Sequence, residues 1–147
     1  MYLPSPFLGL RCAAAAALLW HGGAQAQAPA CIDATEASHL TLLGHWSAQF
    51  SAPDATPTTA QLVLTPHPEL SASVRGRLQR AGTEALLAGD VHQGDFTLEE
   101  SVNGTNISAT WIGEVVAGSC GEEIRGTWSQ EHPPLTLPFV LRKQPQP

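Results

Sequence analysis

A five-residue unit recurs along this chain: an apolar residue, a variable one, glycine, a variable one and a second apolar residue. It occurs five times, as Leu42-Leu43-Gly44-His45-Trp46, Val74-Arg75-Gly76-Arg77-Leu78, Leu87-Ala88-Gly89-Asp90-Val91, Trp111-Ile112-Gly113-Glu114-Val115 and Ile124-Arg125-Gly126-Thr127-Trp128. In an extended strand, residues i, i+2 and i+4 point to one face. The glycine and its two apolar flanks therefore share a face, while His45, Arg75, Arg77, Asp90, Glu114, Arg125 and Thr127 point the other way. One dry face and one wet face is the signature of an antiparallel sheet. Glycine on the inner face of so many strands relieves crowding and lets each strand bend, as a small closed barrel requires.

Three further segments alternate in the same way: Gln61–Thr65, Asp95–Glu100 and Leu137–Arg142. With the five repeats, of which the Trp111 unit belongs to a strand running from Ile107 to Val115, the count is eight strands in sequence-adjacent order, with no segment long enough to cross over. An up-and-down eight-stranded antiparallel barrel is the closure that leaves no exposed edge. Asn103-Gly104 predicts a tight type I′ hairpin before the Ile107 strand. Ahead of the first strand, residues 31–41 predict a short helical turn, with Asp33 as cap and Glu36 three residues on as a capping box requires. The barrel is thus expected over 42–143, after an N-terminal segment at 29–41 and before a disordered Pro/Gln tail at 144–147.

The first 28 residues read as a secretory signal. The apolar run Cys12–Trp20 is too short for a membrane span, which needs about 20 residues, and small-x-small cleavage sites follow it at Ala24-Gln25-Ala26 and Ala26-Gln27-Ala28. Export to the periplasm or the extracellular space is expected. Loss of Arg11 with the signal leaves six basic against 13 acidic residues, a net charge of about −7. No basic patch survives to neutralise phosphates, so no nucleic-acid partner and no stable membrane insertion are expected. Cys31 and Cys120 remain as an even pair, most simply one disulfide closing a loop of about 90 residues. The alternative is a lipid anchor on Cys31, although Ala28-Pro29-Ala30 lacks the leucine expected three residues before such a cysteine.

With these features in place the chain resembles the calycin group, the lipocalin-like and avidin-like eight-stranded barrels. Gly44 and Trp46 form the Gly-x-Trp that opens the first strand after a helical turn, and Arg142 stands where such families stack a cation over that tryptophan. The order of the Gly76, Gly89, Trp111-Gly113 and Gly126-Trp128 segments is most similar to the avidin branch. That resemblance implies a ligand-holding interior but does not bring biotin with it. Ala48 and Ala52 stand where an Asn and a Ser are expected, and Leu78 and Arg80 where a Tyr and a Ser are expected. The single tyrosine, Tyr2, lies in the export segment, and the last strand lacks the family's aspartate.

Catalytic signals are absent from the mature sequence. His39, His45, His67, His92 and His132 show no metal-ligand spacing, and no nucleophile elbow is present. Glu99-Glu100 and Glu122-Glu123 read as surface charge. No catalytic residue, metal or cofactor is expected. The expected function is non-enzymatic binding of a small apolar or aromatic ligand by Trp46, Leu78, Phe96, Trp111 and Trp128, with Cys31, Cys120, Gly44 and Arg142 in structural roles. The alternatives are a protein–protein module, such as a protease inhibitor that inserts its N-terminal segment, or a biotin-type binder with an altered site. Oligomeric state is left open.

Overall fold

The computed structural model describes residues 30–53 and 56–145. The export signal read over residues 1–28, and its cleavage sites, lie outside the described residues, as do the last two residues of the tail.

Eight antiparallel strands close into one barrel in sequence order. They are β1 (Gly44–Phe50), β2 (Thr58–Pro66), β3 (Val74–Arg80), β4 (Thr83–His92), β5 (Asp95–Ser101), β6 (Ala109–Val115), β7 (Glu123–Glu131) and β8 (Pro134–Lys143). The closing pair, β1 with β8, sets Trp46 opposite Lys143 and Phe50 opposite Phe139. Apolar residues of the repeats face inward, except that the first unit is split: Leu42, expected to open the first strand, ends a helical turn (His39–Leu42) and the strand begins at Gly44. Trp46, Val74, Leu78, Leu87, Val91, Trp111, Val115, Ile124 and Trp128 are all buried, while His45, Arg75, Arg77, Asp90, Glu114 and Arg125 are exposed.

The glycines mark where neighbouring strands come too close for a side chain. Gly113 and Gly126 face each other in register across β6 and β7. A Cβ on Gly126 would collide with the Ile112 carbonyl, and one on Gly113 with the Arg125 carbonyl. Sharp strand coiling at these points lets eight short strands close.

The two barrel ends differ. At one end a 3-10 turn (Ala34–Glu36) and a single helical turn, α1 (His39–Leu42), cross the opening before β1. The expected capping box is present: the Asp33 carboxylate accepts from Thr35 N at 3.0 Å, and Asp33 N donates to Glu36 at 3.3 Å. Leu42 is fully buried and plugs this end. Cys31 is joined to Cys120, which lies in the β6–β7 connection at the same end, with Cα atoms 4.5 Å apart. The cap is thereby fastened to the wall. Beyond β8, Gln144 N donates to the His45 carbonyl at 2.8 Å, so the tail is held as far as that residue.

At the opposite end lie the β1–β2 and β5–β6 connections and the tight turns at Ala81-Gly82 and His132-Pro133. No helix crosses it among the described residues. The expected Asn103-Gly104 hairpin is not a two-residue turn. β5 ends at Ser101 and β6 begins at Ala109, two residues later than expected. The reason is local: the Asn103 side-chain oxygen accepts from the backbone N–H of both Thr105 and Asn106, at 2.9 and 2.8 Å, and so holds a longer loop.

Candidate functional site

The uncapped end is lined by inward positions at the ends of its strands. On β5, Phe96 and Leu98 face the core, so the same period sends Glu100 inward and Glu99 outward. On β3, Val74 and Leu78 face in, and Arg80, the last residue of the strand, follows them. Phe50 ends β1, while Trp111 and Trp128 lie on the mouth-side halves of β6 and β7. At the strand ends nearest the opening, the inward positions of β2, β4 and β6 are the small side chains of Ala60, Ala85 and Ala109. Small side chains there leave room for the long arm of Arg80 to turn into the barrel.

These residues form one network. Arg80 Nη2 donates to Glu100 Oε1 at 2.9 Å. The other carboxylate oxygen, Oε2, accepts from both indoles, Trp111 Nε1 at 3.2 Å and Trp128 Nε1 at 3.0 Å. The guanidinium lies over the Trp128 ring at 4.8 Å and the Phe50 ring at 5.4 Å. Glu100 is 1% exposed and is the one buried charged residue among the described residues, whereas Arg80 keeps 19% of its side chain exposed. A carboxylate taken from water into a protein interior loses several kcal/mol of hydration, which only a close counter-ion and further donors offset. Glu100 has both: a guanidinium on one oxygen and two indole N–H groups on the other.

Behind this network the interior is aromatic. Ring contacts run from Trp128 to Phe50 at 5.8 Å, Phe50 to Trp111 at 5.1 Å, Trp111 to Phe139 at 4.9 Å and Phe139 to Phe96 at 6.3 Å. Of the five expected ligand residues, Trp111, Trp128 and Phe96 therefore belong to one ring cluster, which Phe50 and Phe139 complete. Leu78 is buried two residues before Arg80 on β3. Trp46 stands apart at the capped end, where its indole N–H donates to the Leu42 carbonyl at 2.8 Å.

The cation over Trp46 is not the expected one. Lys143 Nζ sits 5.5 Å from the Trp46 ring and donates to the Thr41 carbonyl at 2.6 Å, tying β8 to the helical cap. Burial holds the Lys143 ammonium below its usual pKa, only partly opposed by Glu122. Arg142 points outward instead and pairs with Glu123 at 3.1 Å. Strand parity decides between them: Phe139 and Leu141 face in, so Lys143 does too, while Arg142 shares the outer face with Val140. Glu123 also accepts from Arg125, and that hydrogen bond is the main cause that holds its carboxyl below the ordinary range.

Two readings of the sequence are corrected here. Glu100 is an inward group at the centre of the polar network, not surface charge. Arg80 likewise turns into the interior, from a position read only as a missing serine. Both were visible in principle as the i+4 partner of Phe96 and the i+2 partner of Leu78. Gly44 opens β1 with φ 116°, a value suited to glycine, and keeps its structural role. Concavities of about 530 and 560 Å³ open on the outer wall, one over Val63, Arg75, Arg77 and Leu86 and the other over Ile107, Thr110 and Ser129. No group of three or more residues able to hold a metal ion occurs among the described residues.

No protein-family model matches this chain, and neither a curated protein nor a solved structure matches it. The fold class is accordingly defined by the chain itself: a closed eight-stranded antiparallel barrel, capped at one end by a disulfide-linked helical turn.

Proposed function

We propose that the protein is an exported, calycin-like binding protein that takes a small ligand with an aromatic or apolar body at the Arg80 mouth. The observation that carries this reading is the placement of the Arg80 guanidinium across Trp128 and Phe50 with its outer edge in water. Here the aromatic interior comes nearest to solvent. At the other end a helical turn, a disulfide and the Lys143 contact close the barrel. The Gly44/Trp46 opening, the N-terminal cap and the up-and-down order support the calycin-like reading. A Cys31–Cys120 disulfide fits an oxidising, exported compartment, and it uses the sulfur that a lipid anchor would need. The non-catalytic reading is supported at the mouth by Glu100, whose oxygens are already engaged by Arg80 and two indoles. An inhibitory module working through residues 31–41 is less well supported, because that segment is fastened to the barrel and not held out as an arm.

The test is titration of the protein with a panel of small aromatic and aliphatic compounds, read by tryptophan fluorescence. The expected result is a quench or shift that disappears in Trp128→Phe and persists in Trp46→Phe. A panel without any response, or a response lost only in Trp46→Phe, overturns the mouth as the recognition site.

A further inference from the structure

We infer that the mouth is a site for a small organic cation, of the guanidinium or alkylammonium class, and that Arg80 is its tethered occupant. The inference rests on the mouth being the recognition site and adds the charge of what it recognises.

The cage around the Arg80 head group is drawn from three strands that are not its neighbours in sequence. Glu100 on β5 supplies a carboxylate oxygen at 2.9 Å, Trp128 on β7 a ring face at 4.8 Å and Phe50 on β1 a ring face at 5.4 Å. A carboxylate with aromatic faces beside it is the combination that recognises desolvated organic cations. The cage has a support besides Arg80. Trp111 and Trp128 hold Glu100 by its second oxygen, so the carboxylate stays aimed at the mouth when the arginine leaves, and a newcomer meets a preorganised acceptor. Arg80 itself is the last residue of β3, followed by the Ala81-Gly82 turn. Its side chain is long enough to swing out without unpairing the strand.

Charge selects a cation over an anion. The chain carries a formal net charge of −6, and Glu84 and Glu131 are exposed near the same end of the barrel. A field of that sign concentrates cations at the mouth and repels carboxylates. A free cation must compete with a tethered guanidinium whose effective concentration is on the order of millimolar. The apparent affinity of the native protein is therefore reduced by the fraction of time the cage is empty.

The experiment compares the native protein with Arg80→Ala, using methylguanidinium as probe and methylurea as its neutral counterpart, at concentrations on the order of millimolar. Methylguanidinium should raise the melting temperature of Arg80→Ala and shift its tryptophan emission, with an apparent affinity about tenfold or more above that of the native protein. Methylurea should do neither, and the double variant Arg80→Ala/Glu100→Gln should lose the response. If Arg80→Ala does not fold alone, refolding into each probe replaces the titration. Recovery of the native circular dichroism in methylguanidinium alone then supports the inference. Equal behaviour in the two probes, or recovery in neither, overturns it. Failure here while the native protein still shows a Trp128-dependent response to the aromatic panel removes the cation and leaves the mouth. Failure of both removes the mouth as well.

Discussion

The carboxylate of Glu100 and the guanidinium of Arg80 meet 2.9 Å apart inside the barrel, across a sequence separation of 20 residues, and the carboxylate is 1% exposed. The two charges come from the ends of different strands and share the space left by small neighbours. Glu100→Ala strands a partly buried cation and two indole N–H groups together. The expected loss is about 3–5 kcal/mol of unfolding free energy. Glu100→Gln keeps an amide oxygen that can still accept from an indole, and it should cost clearly less. Urea denaturation of the two variants checks the order; equal losses would mean that the indole donors contribute nothing.

Gly126 and Gly113 set a second expectation. Each faces the other across β6 and β7, and a Cβ on either meets a backbone carbonyl that cannot rotate aside. Gly126→Ala should destabilise by about 1–3 kcal/mol, the range of overpacking. Thr127→Ala, on the exposed face of the same strand, should change stability by no more than about 0.5 kcal/mol. Paired thermal melts measure both.

The disulfide joins residues separated by 89 positions. In the chain-entropy account a cross-link of that span contributes about 4–5 kcal/mol by constraining the unfolded chain. Cys31→Ser/Cys120→Ser should lower the urea midpoint accordingly. It should also loosen the helical cap first, seen as faster hydrogen exchange at Thr41 and Leu43, whose amides donate within the cap.

pH dependence follows from three shifted groups. Glu123 is held below 4.5, chiefly by Arg125, and Asp33 below 3.8, chiefly by the Thr35 N–H. Both folded values lie below the unfolded ones, so these contributions are complete above the unfolded pKa and are lost as pH falls through the folded pKa. Asp33 is exposed and Glu123 stays partly in contact with water, so Glu123→Gln should flatten the acid limb by only a few tenths of a kcal/mol. Lys143 has the opposite sense. Burial lowers it from 10.5, so between its folded value and 10.5 the unfolded chain binds the proton more tightly and stability rises with pH. Lys143→Met should remove that alkaline rise, measured as urea midpoints from pH 8 to 10.5.

The period of two was enough to place Trp46, Leu78, Trp111 and Trp128 on the inner face and the repeat glycines beside them, because side-chain direction in a strand is a local property. The capping box at Asp33 and Glu36 was legible for the same reason, since its partners lie three residues apart. Applied strictly, the same parity turns Glu100 and Lys143 inward and Arg142 outward. Preference for charge at the surface outweighed it for Glu100, and family likeness outweighed it for Arg142. Asn103-Gly104 failed differently: the pair fits a tight turn, but a side-chain oxygen that can serve two amides at once stabilised a longer loop.

Local chemistry in the sequence was therefore sufficient for the strands, their buried face, their number and their antiparallel order. Tertiary closure alone decided which end was sealed and what met at the other. Register across β5, β6 and β7 brings the Trp111 and Trp128 indoles to one oxygen of Glu100, and the turn of β3 delivers Arg80 to the second. These partners are 11 to 28 residues from Glu100 along the chain. A buried charge is tolerable only where such partners converge, and no pattern confined to one strand contains that convergence.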